Sequence, residues 1–163
     1  MLNFRNYGVI YSSFFIALIL SILQLPIFLS IFRPDWVLLT LIYWTLAMPD
    51  KIGSFHAFIL GLLLDLLLGS TIGMHAILLP CFSYVVATNF QKIRCFSMIK
   101  TTMVVGFLVF LNEIFLYGIS LSQQNIVFHD YYFWGVFTSM LIWPWFFLFM
   151  RAMGLKLKVA RSL

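Results

Sequence analysis

Six apolar runs, parted by short polar stretches that hold most of the charges, fill almost all of this 163-residue chain. That pattern leaves few folds open. A run of about 20 apolar residues is what a helix needs to cross the roughly 30 Å hydrocarbon core of a bilayer. Only helices and closed barrels satisfy every backbone N–H and C=O there. The runs lie at about 9–31, 36–48, 55–68, 75–90, 101–121 and 131–150, followed by a basic tail over 151–163. The composition excludes a soluble alternative. Hydrophobic residues make up 63% and charged residues 9%, where soluble domains hold about 45–50% and about 25%. A soluble fold of this size has too little interior for so much apolar surface. The expected fold is therefore an all-α membrane protein, a single domain over 1–163 built as a six-transmembrane-helix bundle.

The second run leaves an alternative open. It sits between Pro34-Asp35 and Pro49-Asp50, which fit a helix start and a helix stop, and holds 13 residues. As a helix it reaches only about 20 Å. It either spans with Arg33 and Lys51 snorkelling at its ends, or is re-entrant and packed inside a five-span bundle. The run 75–90 contains Pro80, an expected kink, and the turn Gly69-Ser70-Thr71-Ile72-Gly73 precedes it. The first run has one Arg before it and no small-x-small cleavage pattern, so it reads as a retained helix.

The net charge of +5 points to topology and not to nucleic acid, because the basic residues cluster between apolar runs and in the tail. With six spans and a cytoplasmic N-terminus, nine of the ten Lys and Arg lie inside and only Arg33 lies outside. With five spans and an outside N-terminus, Arg5 becomes the lone outside charge. Either way the loop 91–100 and the tail are cytoplasmic. Cys81 and Cys95 suit a reduced or buried setting and form no disulfide framework.

An ionisable group at mid-membrane costs about 2.5 kcal/mol or more and usually faces the bundle interior. Asp65, inside LLLDLLLG, is such a group. Gly53, Ala57, Gly61, Asp65 and Gly69 recur every four residues, a spacing that lets another helix approach closely. Asp65 reads first as a structural carboxyl that bonds a neighbouring helix or caps the turn after Gly69, and an Asn there is expected to keep that bond. The other reading is a ligand or proton site. Glu113, beside Asn112 and near one face with Gly106 and Tyr117, carries the same two readings. Arg33, Asp35 and Trp36 form a polar and aromatic cluster at one membrane face, either an interfacial anchor or a partner contact. His56, His75 and His129 show no ligand spacing, and neither a nucleophile elbow nor a phosphate-binding glycine loop occurs. No metal, cofactor or enzymatic activity is expected.

Three blocks together resemble the MreD family of rod shape-determining proteins: FRPDWVLLTLIYW at 32–44, GLLLDLLLGSTIG at 61–73 and WPWFFLFMR at 143–151. Length, helix spacing and basic tail are similar as well. The resemblance is closest to proteobacterial members and implies a bacterial inner membrane. It also implies a fold similar to the substrate-binding S components of ECF vitamin transporters, which favours six spans. It further implies a role in cell-wall elongation with MreC as partner, linking MreB filaments indirectly to RodA and an elongation-specific penicillin-binding transpeptidase. The family brings no established catalytic residues. Arg33, Asp35, Trp36, Asp65, Gly69 and Gly73 fall within the matched blocks. Two functions stand side by side: a membrane scaffold, and a small-molecule or lipid-binding transporter-like subunit.

Overall fold

The computed structural model describes residues 4–23, 33–49, 51–69, 73–122 and 132–156. Among them are seven helices and no strand: α1 (Phe4–Ile22), α2 (Trp36–Ala47), α3 (Ser54–Leu68), α4 (Met74–Thr88), α5 (Phe90–Arg94), α6 (Met98–Ser122) and α7 (Tyr132–Lys156). Three expected boundaries are corrected. The first helix starts at Phe4 and ends at Ile22, because Pro26 has no N–H to give the Ile22 carbonyl; the expected stretch 24–31 lies outside the described residues. The helix expected over 75–90 divides into α4 and α5. At the break the Thr88 hydroxyl donates to the Tyr84 and Val85 carbonyls, and the Asn89 amide donates to Val85 at 3.0 Å. Such side chains compete with the helical ladder and favour its end. Finally, α7 continues to Lys156, so the first part of the tail is helical.

Helix lengths also alter the six-span picture. Among the described residues, only α6 and α7 carry stretches long and apolar enough to cross a membrane alone, 22 residues over Met98–Ile119 and 21 over Trp134–Gly154. The apolar stretches of α1 to α4, Gly8–Ile22, Trp36–Ala47, Ser54–Leu68 and Met74–Thr88, reach about 18–23 Å at 1.5 Å per residue. That is short of a core of about 30 Å.

The short α2 forms the centre. Every residue from Val37 to Ala47 is buried, as expected of a helix that is hydrophobic all round. It packs against α1, α4, α5, α6 and α7. Two polar ties cross its apolar surroundings. The Trp44 indole N–H donates to the Ser13 hydroxyl of α1 at 2.7 Å, and the Thr45 and Ser83 hydroxyls meet at 3.4 Å between α2 and α4. Around this core the outer surface is apolar: Phe15, Phe55, Ile77, Phe107, Leu141 and Trp145 are 61–77% exposed. Soluble proteins rarely show contiguous apolar patches beyond a few hundred Å². The belt faces lipid, and the molecule is an all-helical membrane bundle.

The α3–α4 hairpin is the closest helix pair. Gly61 permits it. A Cβ on Gly61 would collide with the His75 carbonyl and come within 2.6 Å of the Ala76 Cα. Ala57 is fully buried on the same face. Gly53 is not a packing glycine: it precedes α3 as its N-cap, and a Cβ there would meet nothing within 4 Å.

Candidate functional site

Asp35 at the start of α2 lies within electrostatic reach of His75 at the start of α4, so α2 and α4 begin at the same end of the bundle. An N-terminal turn leaves backbone N–H groups without helical partners and carries partial positive charge, and both favour a carboxylate. Each of these two helices receives one.

For α2 the carboxylate is local. Asp35 is the N-cap, and its Oδ1 accepts from the Leu38 N–H at 3.2 Å. Its Oδ2 accepts from the Asn112 amide of α6 at 2.9 Å. The Asp35 backbone N–H donates to the Ser139 hydroxyl of α7 at 3.2 Å, and that hydroxyl donates onward to the Gly135 carbonyl at 2.7 Å. One residue therefore joins the start of α2 to both long helices. Burial pushes the Asp35 carboxyl up from its ordinary range, against the opposing pull of the Leu38 N–H, His75 and Arg33. Asn112 is fully enclosed, and its amide oxygen has no partner among the described residues.

For α4 the carboxylate comes from the preceding helix. Gly73, the N-cap of α4, has no side chain to offer. Asp65, wholly buried on α3, takes its place. Its Oδ2 accepts from the Gly73 and Ala76 N–H groups at 2.8 and 3.3 Å. Its Oδ1 accepts from the His75 N–H at 3.1 Å and meets His75 Nδ1 at 2.7 Å. The two flanking glycines make the turn possible. Gly69 closes α3 in the left-handed region at φ 63°, with its N–H on the Asp65 carbonyl, and Gly73 has φ 112°. Residues with a Cβ adopt such angles at a cost.

Most of the residues singled out in the sequence meet at this end. The Arg33 guanidinium donates to the Leu20 carbonyl of α1 at 3.3 Å, while its charge acts on Asp35. Trp36 stacks obliquely on Phe146 of α7, ring centres 6.2 Å apart. Glu113 follows Asn112, half-buried and within electrostatic reach of Asp35. Asp65 and Asp35 belong to adjoining caps, linked through His75. Gly106 lies elsewhere on α6, where it admits the Met140 side chain of α7. His129 and residues 70–72 are outside the described set.

The geometry overturns one chemical expectation. Both Asp65 oxygens already face N–H donors, so an Asn there would turn its NH₂ against them. Three participants escaped the sequence reading: His75, Asn112 and Ser139. His75 was legible in part, since a His ten residues beyond a buried Asp, across a glycine turn, can fold back onto it. Ser139, 104 residues from Asp35, left no such trace. Among the described residues no group of three His, Cys, Asp or Glu side chains is placed to hold a metal ion.

Comparison with known proteins agrees over nearly the full chain. The family described as rod shape-determining protein MreD matches residues 3–153. The chain is also similar to the rod shape-determining protein MreD of Haemophilus influenzae. The two are 37% identical over 150 residues, covering 92% of this chain and 93% of that one. No solved structure matches.

Proposed function

Because the chain belongs to the MreD family of rod shape-determining proteins, we propose that it is a non-enzymatic scaffold of the cell-wall elongation machinery in the bacterial inner membrane. In this reading it holds MreC and through it connects MreB filaments with RodA and the elongation-specific penicillin-binding transpeptidase. The supporting observation is the fixed polar end. Asp35 and Asp65 are engaged by helix N-termini, which suits a rigid docking face better than a site that must gain and lose a ligand. Arg33, Trp36 and Glu113 stand beside those caps.

The orientation proposed places that end in the periplasm. Lys92, Arg94 and Arg151 line the cavities around α5, Lys100 stands over Phe96 and Lys51 follows the end of α2, and the positive-inside rule makes that end cytoplasmic. The N-terminus of α1 lies there too, and six crossings follow, with the short α2 sheltered by its neighbours.

Depletion in rod-shaped cells tests the function. Rounding, rescued by this chain, supports the scaffold. A specific nutrient requirement with rod shape intact supports the transporter-like subunit instead, the reading that half-buried Glu113 beside Asp35 would serve.

A further inference from the structure

At the basic end, the five-residue α5 is flanked by two cavities that nothing in the scaffold reading uses. One is a groove of about 500 Å³ between α4 and α6, lined by Phe82, Val85, Val86, Phe107 and Leu111, with Lys92 of α5 at its end. The other is a cavity of about 300 Å³ that includes Arg94, Thr101 and Arg151. Ile93 and Phe96 line both, so the apolar groove and the cationic cavity adjoin across a shared wall. Lys100 stands 6.0 Å over the Phe96 ring.

We propose that this is a binding site for one anionic phospholipid, with an acyl chain in the α4–α6 groove and the phosphate at its rim on Lys92 and Arg94. Three observations select that occupant. The groove is apolar along its length and basic at one end only, which is the charge pattern of a lipid and the inverse of a soluble anion site. Its α6 wall from Met103 to Leu111 is about 12 Å long at 1.5 Å per residue. About 500 Å³ over that length gives a cross-section of about 40 Å², roughly half that of a helix about 10 Å across. A single hydrocarbon chain fits within such a groove, whereas a helix would lie mostly outside it. Lastly, the basic residues lie where an amphiphile's headgroup meets water, beside Lys100. Arginine supplies a forked pair of donors to a phosphate and lysine a point charge.

Native mass spectrometry of the full chain, released from micelles doped with phosphatidylglycerol or phosphatidylcholine, tests this. Phosphatidylglycerol is expected to be retained preferentially at one copy. The double variant Lys92→Gln/Arg94→Gln should lower that retention about thirtyfold, as two lost basic contacts imply. Lys51→Gln, a basic residue at the same end but outside both cavities, should leave it unchanged. Val85→Trp, at an exposed groove position, should displace the lipid with every charge intact. Each variant is compared at equal melting temperature in lipid-free detergent; should Val85→Trp melt lower, Val85→Phe takes its place. Equal retention of the two lipids, or equal loss with Lys51→Gln, would reduce the site to diffuse charge. Displacement of phosphatidylglycerol by millimolar inorganic phosphate alone would make it an anion site. Retention unaffected by filling the groove would also overturn the proposal, and so would a partner helix resolved in the groove of a purified complex.

Discussion

Two capping acids at one end of the bundle should respond in opposite ways to the same substitution. Asp65 accepts at both oxygens from three backbone N–H groups and meets His75 Nδ1 besides. In Asp65→Asn the NH₂ meets at least one backbone N–H whichever way it turns, and a buried donor without an acceptor costs about 1–3 kcal/mol. The variant should therefore lose about 2 kcal/mol or more of stability, nearly as much as Asp65→Leu. Asp35 differs. One oxygen serves Leu38, the other faces the Asn112 amide, and the Asn112 oxygen lacks a partner among the described residues. In Asp35→Asn a new amide can donate to that oxygen once the Asn112 amide turns over. Burial already disfavours the Asp35 charge, so this variant should stay within about 1 kcal/mol of the parent. Denaturant titration in a fixed detergent compares the two. Equal losses would show that the caps are not what distinguishes these acids.

The α3–α4 hairpin sets a second contrast at the level of elements. Gly61→Ala drives a methyl into the His75 carbonyl and the Ala76 backbone, neither of which is a flexible side-chain end. It should lower the melting temperature by several degrees, in the range of overpacking costs of about 1–3 kcal/mol. Gly53→Ala, with open space around it, should be neutral, and an equal effect at both positions would deny the close approach. The four-residue spacing from 53 to 69 announced this hairpin, yet it overstated the contact. Helix α3 starts at Ser54 and ends at Leu68, so Gly53 and Gly69 serve its ends and only Ala57, Gly61 and Asp65 face its neighbours. Asp35 as an N-cap and Gly69 as a stop were legible because caps and left-handed turns act within a few residues. The break at Asn89 was not, because an apolar run continues through it. Nor was the burial of α2, since a helix apolar on every face has no stripe to tell which side meets lipid and which meets protein.

For the whole molecule, charge and shape coincide. Lys92, Arg94, Lys100 and Arg151 surround α5, and α1 ends beside Arg33 near the Asp35 cap, so its start points away from that cap. A cytoplasm-active reporter fused at residue 1 should be active and a periplasm-active one silent; the reverse result would restore the five-span topology with an outside N-terminus. In the scaffold we propose, the polar end would meet MreC from the periplasmic side. Arg33 bonds the α1 carbonyl of Leu20 with one arm of its guanidinium, and its remaining donors suit a partner carboxylate or carbonyl. Lys158, in the basic tail outside the described residues, serves as the control for charge alone. The most direct measurement is recovery of MreC on this chain from membranes holding matched amounts of the parent, Arg33→Ala and Lys158→Ala. The scaffold account predicts clearly reduced recovery with Arg33→Ala and near-parent recovery with Lys158→Ala. Equal recovery of MreC with the two variants would contradict it.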